Sequence, residues 1–67
     1  MTEQPRNPMA ILRRKQVEAE TGLSTSSIYD RMKHGTFPKN VRISANSVGW
    51  RAGDIDKFLE NPFAYKA

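Results

Sequence analysis

Residues 21–39 read TGLSTSSIYDRMKHGTFPK, and this stretch decides the fold. Thr21-Gly22-Leu23 makes a tight connection between two helices, because Gly22 takes positive φ without a steric penalty. Ser24 is the N-cap of the second helix, its hydroxyl able to accept from the free N–H groups of the first turn. Leu23 before the cap and Ile28 at the fourth helical position have the spacing of a hydrophobic staple. Ile28 and Met32 stand four apart and share a face. Gly35 ends the helix, and Phe37-Pro38 prevents its continuation. With Ile28 and Met32 turned inward, the opposite face at about 100° per residue carries Ser26, Asp30 and Lys33, flanked by Thr25, Ser27, Tyr29, Arg31 and His34. Taken alone, this is an ordinary capped amphipathic helix. It also has small hydroxyl side chains at its start and bases near its end. That distribution suits a helix entering a groove roughly 12 Å wide, with its N-terminal N–H groups toward phosphate.

Upstream, residues 1–10 are polar with two prolines and are expected to form a mobile arm. Ile11-Leu12 is the first apolar pair, a short extended lead-in that packs on the domain. Arg14–Glu20 contains good helix formers and no breaker, so it is expected to be helical. Its apolar face is thin, Val17 and Ala19, with Leu12 before and Leu23 after; such a helix depends on its neighbours. Helix, short turn and second helix make a helix-turn-helix pattern.

Downstream, Val41-Arg42-Ile43-Ser44 and Ser47-Val48-Gly49-Trp50 alternate apolar and polar in the same sense. They flank Ala45-Asn46, where Asn tolerates turn geometry. The spacing predicts a hairpin with Val41, Ile43, Val48 and Trp50 toward the core and Arg42, Ser44 and Ser47 outward. A hairpin after a helix-turn-helix is a wing, whose Arg and Ser side chains can reach phosphates or a minor groove. A plain surface hairpin completing the core has the same pattern. Asp54–Glu60 is expected to be a third helix, with Ile55, Phe58 and Leu59 at i, i+3 and i+4. Asp54 and Asp56 favour its start, and Asn61-Pro62 stops it. Phe63 and Tyr65 either add a last patch to the core or form a loose tail, 62–67. Trp50 is expected in the core, where an indole buries a large apolar area.

The chain has 67 residues, enough for one domain, here 11–61. It contains no cysteine, so disulfides and cysteine-based zinc sites are excluded. No apolar run approaches the roughly 20 residues that span a bilayer, and MTEQPRNPMA lacks the order of a secretory signal. A cytoplasmic protein without a membrane partner is expected. Net charge is +4. Residues 24–51 hold Arg31, Lys33, Lys39, Arg42 and Arg51 against Asp30 alone; elsewhere six basic and six acidic residues cancel. A local basic excess attracts a polyanion, although a solvated basic face gives the same pattern.

From Ile11 to Asn61 the sequence resembles the AlpA family of phage and prophage regulators, related to excisionase and MerR-type winged helices. The resemblance is carried by Val17, Thr21-Gly22-Leu23-Ser24, Ile28-Tyr29, Gly35-Thr36-Phe37-Pro38, Val48-Gly49-Trp50-Arg51 and Asp54-Ile55. It implies a mainly helical winged helix-turn-helix of three helices plus a small β-hairpin wing. The second helix would enter the major groove of double-stranded DNA, at an attachment site or a promoter. Family members act as recombination directionality factors or as regulators of integrase and excision genes, so an integrase and further copies of the chain are expected partners. Candidate DNA contacts are Ser24, Thr25, Ser26, Ser27, Tyr29, Asp30, Arg31 and Lys33, then Lys39, then Arg42, Ser44, Ser47 and Arg51 on or beside the wing. The family often has basic residues where this chain has Thr25 and Asp30. Asp30 repels phosphate but can accept from cytosine N4.

An enzyme is not expected, and neither a cofactor nor a metal is implied. His34 is the only histidine, has no catalytic partner in the pattern, and stands where it can meet free carbonyls at a helix end. Tyr29 and Tyr65 lack the arginine cluster of a recombinase. The other class of function is an adaptor docking a phage integrase or a DNA-packaging subunit, which requires an exposed apolar patch rather than a basic face. A DNA-binding domain of a packaging enzyme would keep the fold and change only the role.

Overall fold

A computed structural model describes residues 6–67. Along them run β1 (Ile11–Arg13), α1 (Arg14–Thr21), α2 (Thr25–Lys33), β2 (Val41–Ser44), β3 (Ser47–Arg51) and α3 (Ala52–Glu60). The connection between α1 and α2 follows from its residues. Gly22 is left-handed at φ 74° and donates its N–H to the Glu18 carbonyl, closing α1. Ser24 is extended, and its Oγ accepts from the Ser27 N–H at 3.2 Å, opening α2. Gly35 takes φ 75° after α2, and its N–H reaches the Met32 carbonyl.

The expected lead-in at Ile11-Leu12 is a strand with a partner. β1 pairs with β3, Leu12 opposite Trp50, and the sheet is three-stranded and antiparallel in the order β1-β3-β2. The hairpin is therefore not an isolated wing on a helical domain but two strands of a shared sheet. The architecture is α+β, compatible with a winged helix-turn-helix. No helix among the described residues is long and apolar enough to cross a membrane.

The core comprises Leu12, Val17, Ile28, Phe37, Trp50, Ala52, Ile55 and Phe58. Phe37, read from sequence only as part of the helix exit, is fully buried and stands edge-on to Trp50, with its ring 4.7 Å from that of Phe58. The Trp50 indole N–H donates to the Pro38 carbonyl at 3.1 Å, so its one polar group is satisfied inside.

Four side chains expected in the core are elsewhere. Ala19 is exposed, because two residues beyond Val17 is about 200° around the helix. Leu59 is 38% exposed in the last turn of α3. Val41 and Ile43 leave the core for a common reason. Ser44 pairs with Ser47, but Arg42 pairs with Val48 and Val41 with Gly49, which leaves Ile43 as an extra residue. This bulge shifts the rest of β2 by one position, and a one-residue shift moves side chains to the other face. Val41 and the 45%-exposed Ile43 thus share the outer face with Gly49 and Ile11.

Residues 6–10, expected within a mobile arm, are docked, while residues 1–5 of that arm lie outside the described residues. Arg51, the N-cap of α3, supplies no side-chain bond. Instead the carbonyls of Ala10 and Pro8 accept from the N–H groups of Ala52 and Gly53, at 2.8 and 2.9 Å. Arg6 ties this segment down, with two bonds to Glu20 at 2.7 and 2.9 Å and one to Asp56 at 2.6 Å. The tail divides between its two expectations. Phe63 is fully exposed, whereas the Tyr65 ring meets Phe58 edge-on and the Ala67 N–H reaches the Gly35 carbonyl. Partial burial, and secondarily Asp54, push the Tyr65 hydroxyl above its ordinary pKa.

Candidate nucleic-acid interface

Ser26, Asp30 and Lys33 are exposed together on α2, opposite the buried Ile28. Successive angles of about 40° and 20° from Ser26 keep all three within one narrow stripe. Around them the candidates diverge. Ser24 and Ser27 hold the cap together, their hydroxyls 3.1 Å apart. The Thr25 hydroxyl donates to the Glu18 carboxylate and so locks α1 to α2, rather than standing free as a reader. Tyr29 is 40% exposed, its ring 6.2 Å from that of Trp50.

Arg31 is not on the stripe. It lies about 60° from Ile28, is half-buried, and carries its guanidinium 5.8 Å above the Phe58 ring, a cation–π contact that covers the core. His34 brings Nδ1 to 2.8 Å from the Asp30 carbonyl and 3.7 Å from the Asp30 carboxylate, at the end of α2. Lys39 is exposed in the connection to β2.

The bulge in β2 decides which wing residue joins α2. Residues directly opposite each other in an antiparallel pair share a face. Arg42 is opposite Val48, which packs against the core on the side of Leu12 and Trp50, and Tyr29 packs on Trp50 from that side. Arg42 and the exposed edge of α2 are therefore on one side of the sheet. In a regular hairpin Arg42 would oppose Gly49 and face away. Arg42 is exposed, its guanidinium steadied by the Ala45 carbonyl at 3.2 Å. Ser44 and Ser47 face the other side, as does Arg51, which turns toward the Met9 carbonyl at 3.4 Å. Arg51 is thus separated from the α2 stripe by the sheet.

Sequence reasoning passed over Arg13-Arg14-Lys15. These residues open α1 beside the wing turn, and with Asn46, Ser47 and Val48 they line a cleft. The run of three bases was the available signal. It was hidden by adding charge along the chain, where it cancels against acids that the fold pairs elsewhere: Glu20 and Asp56 are taken by Arg6.

The family model described as Prophage CP4-57 regulatory protein (AlpA) matches residues 10–62. The chain is 35% identical over 60 residues to the DNA-binding transcriptional activator AlpA of Escherichia coli (strain K12), covering 81% of this chain and 86% of that protein. No solved structure matches it.

Proposed function

The chain belongs to the AlpA family of prophage regulatory proteins, and from that premise we propose that it binds double-stranded DNA as a regulator within a prophage or similar element. The observation that carries the proposal is the placement of Arg42 on the side of the sheet that α2 occupies. It lets one duplex meet both elements. Ser26 and Asp30 face bases in the major groove, Lys33 meets phosphate at the far end of the helix, and Arg42 holds the adjoining backbone. The fold class is a winged helix-turn-helix of the excisionase and MerR kind.

Two roles suit this geometry. One is transcriptional control of integrase or excision genes at a promoter, in keeping with the name of the E. coli relative. The other is that of a recombination directionality factor, several copies side by side bending an attachment site for an integrase. Bending 20–30 base pairs costs on the order of 1–6 kcal/mol, which the added contacts offset. Binding should be cooperative on closely spaced repeats.

The test begins with anisotropy on duplex DNA across a salt series, because neutralised phosphates release counterions. Affinity should fall steeply with salt; a flat response removes the proposal. Footprinting on the DNA of the encoding element then locates the site. Excision by the purified integrase, with and without the protein, alongside a promoter reporter, separates the roles. Stimulated excision assigns directionality, and a reporter response without it assigns transcription alone.

A further inference from the structure

We infer that the cleft between the start of α1 and the wing turn is a second backbone-binding site, holding a DNA phosphodiester beside the groove that α2 enters. Arg13, Arg14, Lys15, Asn46, Ser47 and Val48 enclose about 350 Å³ there. Every polar side chain in that set can donate a hydrogen bond, and no carboxylate lines the cleft. A cation finds no ligand in it. An anion with several acceptor oxygens finds two guanidinium groups, an ammonium, an amide and a hydroxyl.

The bases divide their work. Arg14 Nε lies 3.3 Å from Glu18 Oε2 and is partly neutralised by it. Arg13 and Lys15 are exposed and, among the described residues, have no carboxylate within ion-pair distance. They are the two free charges of the cleft. Arg14 positions them: Glu18, which it holds, also accepts from Thr25 in the first turn of α2. One turn of α1, about 5.4 Å, separates Arg14 from Glu18. The cleft is therefore fixed rigidly to the start of α2, near enough for one duplex to occupy both. β1 supplies the second anchor, because Arg13 pairs with Gly49 in the strand that leaves the wing turn.

The site rests on the DNA-binding reading and adds to it a contact outside α2 and Arg42. The same donors suit inorganic phosphate, so the test carries two arms. In the full chain, Arg13→Gln with Lys15→Gln keeps side-chain bulk and removes both charges. On a random duplex and on the footprinted site, affinity should drop by the same factor, on the order of tenfold. The slope of log affinity against log salt should flatten by about 2, one per lost phosphate contact. Base preference should not change, and Lys57→Gln with Lys66→Gln, on α3 and the tail, should leave the slope intact. Thermal melting of the variant should match the parent. If the parent binds DNA and the Arg13/Lys15 variant keeps its slope, the cleft is not a backbone site. If the parent does not bind DNA at all, it is the DNA-binding reading that fails. In the second arm, millimolar inorganic phosphate is titrated while amide resonances are followed. Shifts confined to Arg13, Lys15, Asn46 and Ser47, with an unchanged salt slope in the variant, would reassign the cleft to a free anion and overturn the inference.

Discussion

Ser26 and Arg42 stand on the same side of the molecule and should respond differently to substitution. Ser26 is exposed in the first turns of α2 and buries nothing. Ser26→Glu therefore leaves the melting curve intact and abolishes preference for the specific site, since a bulky anion cannot enter the groove. Arg42 touches only the Ala45 carbonyl within the protein. Arg42→Ala should weaken all sequences about equally and lower the salt slope by about 1. Altered base preference with Arg42→Ala, together with an inert Ser26→Glu, would invert the groove assignment. Gly49 shows the opposite kind of constraint. A Cβ there would overlap Ile11 Cγ2 and come within 2.8 Å of the Leu12 carbonyl oxygen. The neighbouring strand is backbone and cannot swing aside, so only glycine lets β1 lie against β3 at this point.

At the scale of elements, β2 owes its function to one unpaired residue. Deleting Ile43 removes the bulge yet keeps Arg42 opposite Val48 and Val41 opposite Gly49, the pairs already present. The shortened protein should fold, and Arg42→Ala should cost the same factor in DNA affinity in both backgrounds. A penalty that disappears in the deletion would mean that Arg42 faces the outer side in the intact strand. α2 depends on its cap in a more ordinary way. Ser24 accepts from the Ser27 N–H, a contact that in other helices contributes about 1 kcal/mol.

In the whole molecule, chain ends close what the elements leave open. Arg6 joins the end of α1 to α3, and Pro8 and Ala10 supply the carbonyls that cap α3. Hydrogen bonds to Glu20 first, and then to Asp56, hold the guanidinium charged more firmly than usual. The pair is partly solvated, so Arg6→Ala should cost only about 1 kcal/mol, or roughly 4–8 °C in Tm for a domain of this size. Its distinguishing mark is local. Hydrogen exchange at the Ala52 and Gly53 amides should quicken before the sheet amides change. Equal protection of those two amides in parent and variant would show that the segment docks without Arg6.

What the sequence by itself determined was local. The Gly22 turn, the Ser24 cap, the Gly35 and Pro38 exit, the Ala45-Asn46 turn and the Asn61-Pro62 stop each depend on residues within a turn or two of one another. The stripe of Ser26, Asp30 and Lys33 was legible for the same reason, since helical period alone sets it. Only the tertiary structure decided the rest, because each remaining feature joins distant residues. Leu12 finds Trp50, Arg6 finds Asp56, and Arg31 leans on Phe58. The alternation in β2 pointed Val41 and Ile43 inward, and a bulge that alternation cannot register turned them out and Arg42 toward α2. A sum of charges along the chain cancelled Arg13 and Lys15 against acids that folding gives to other partners. Charge acts through distance in space, and only the folded chain sets those distances.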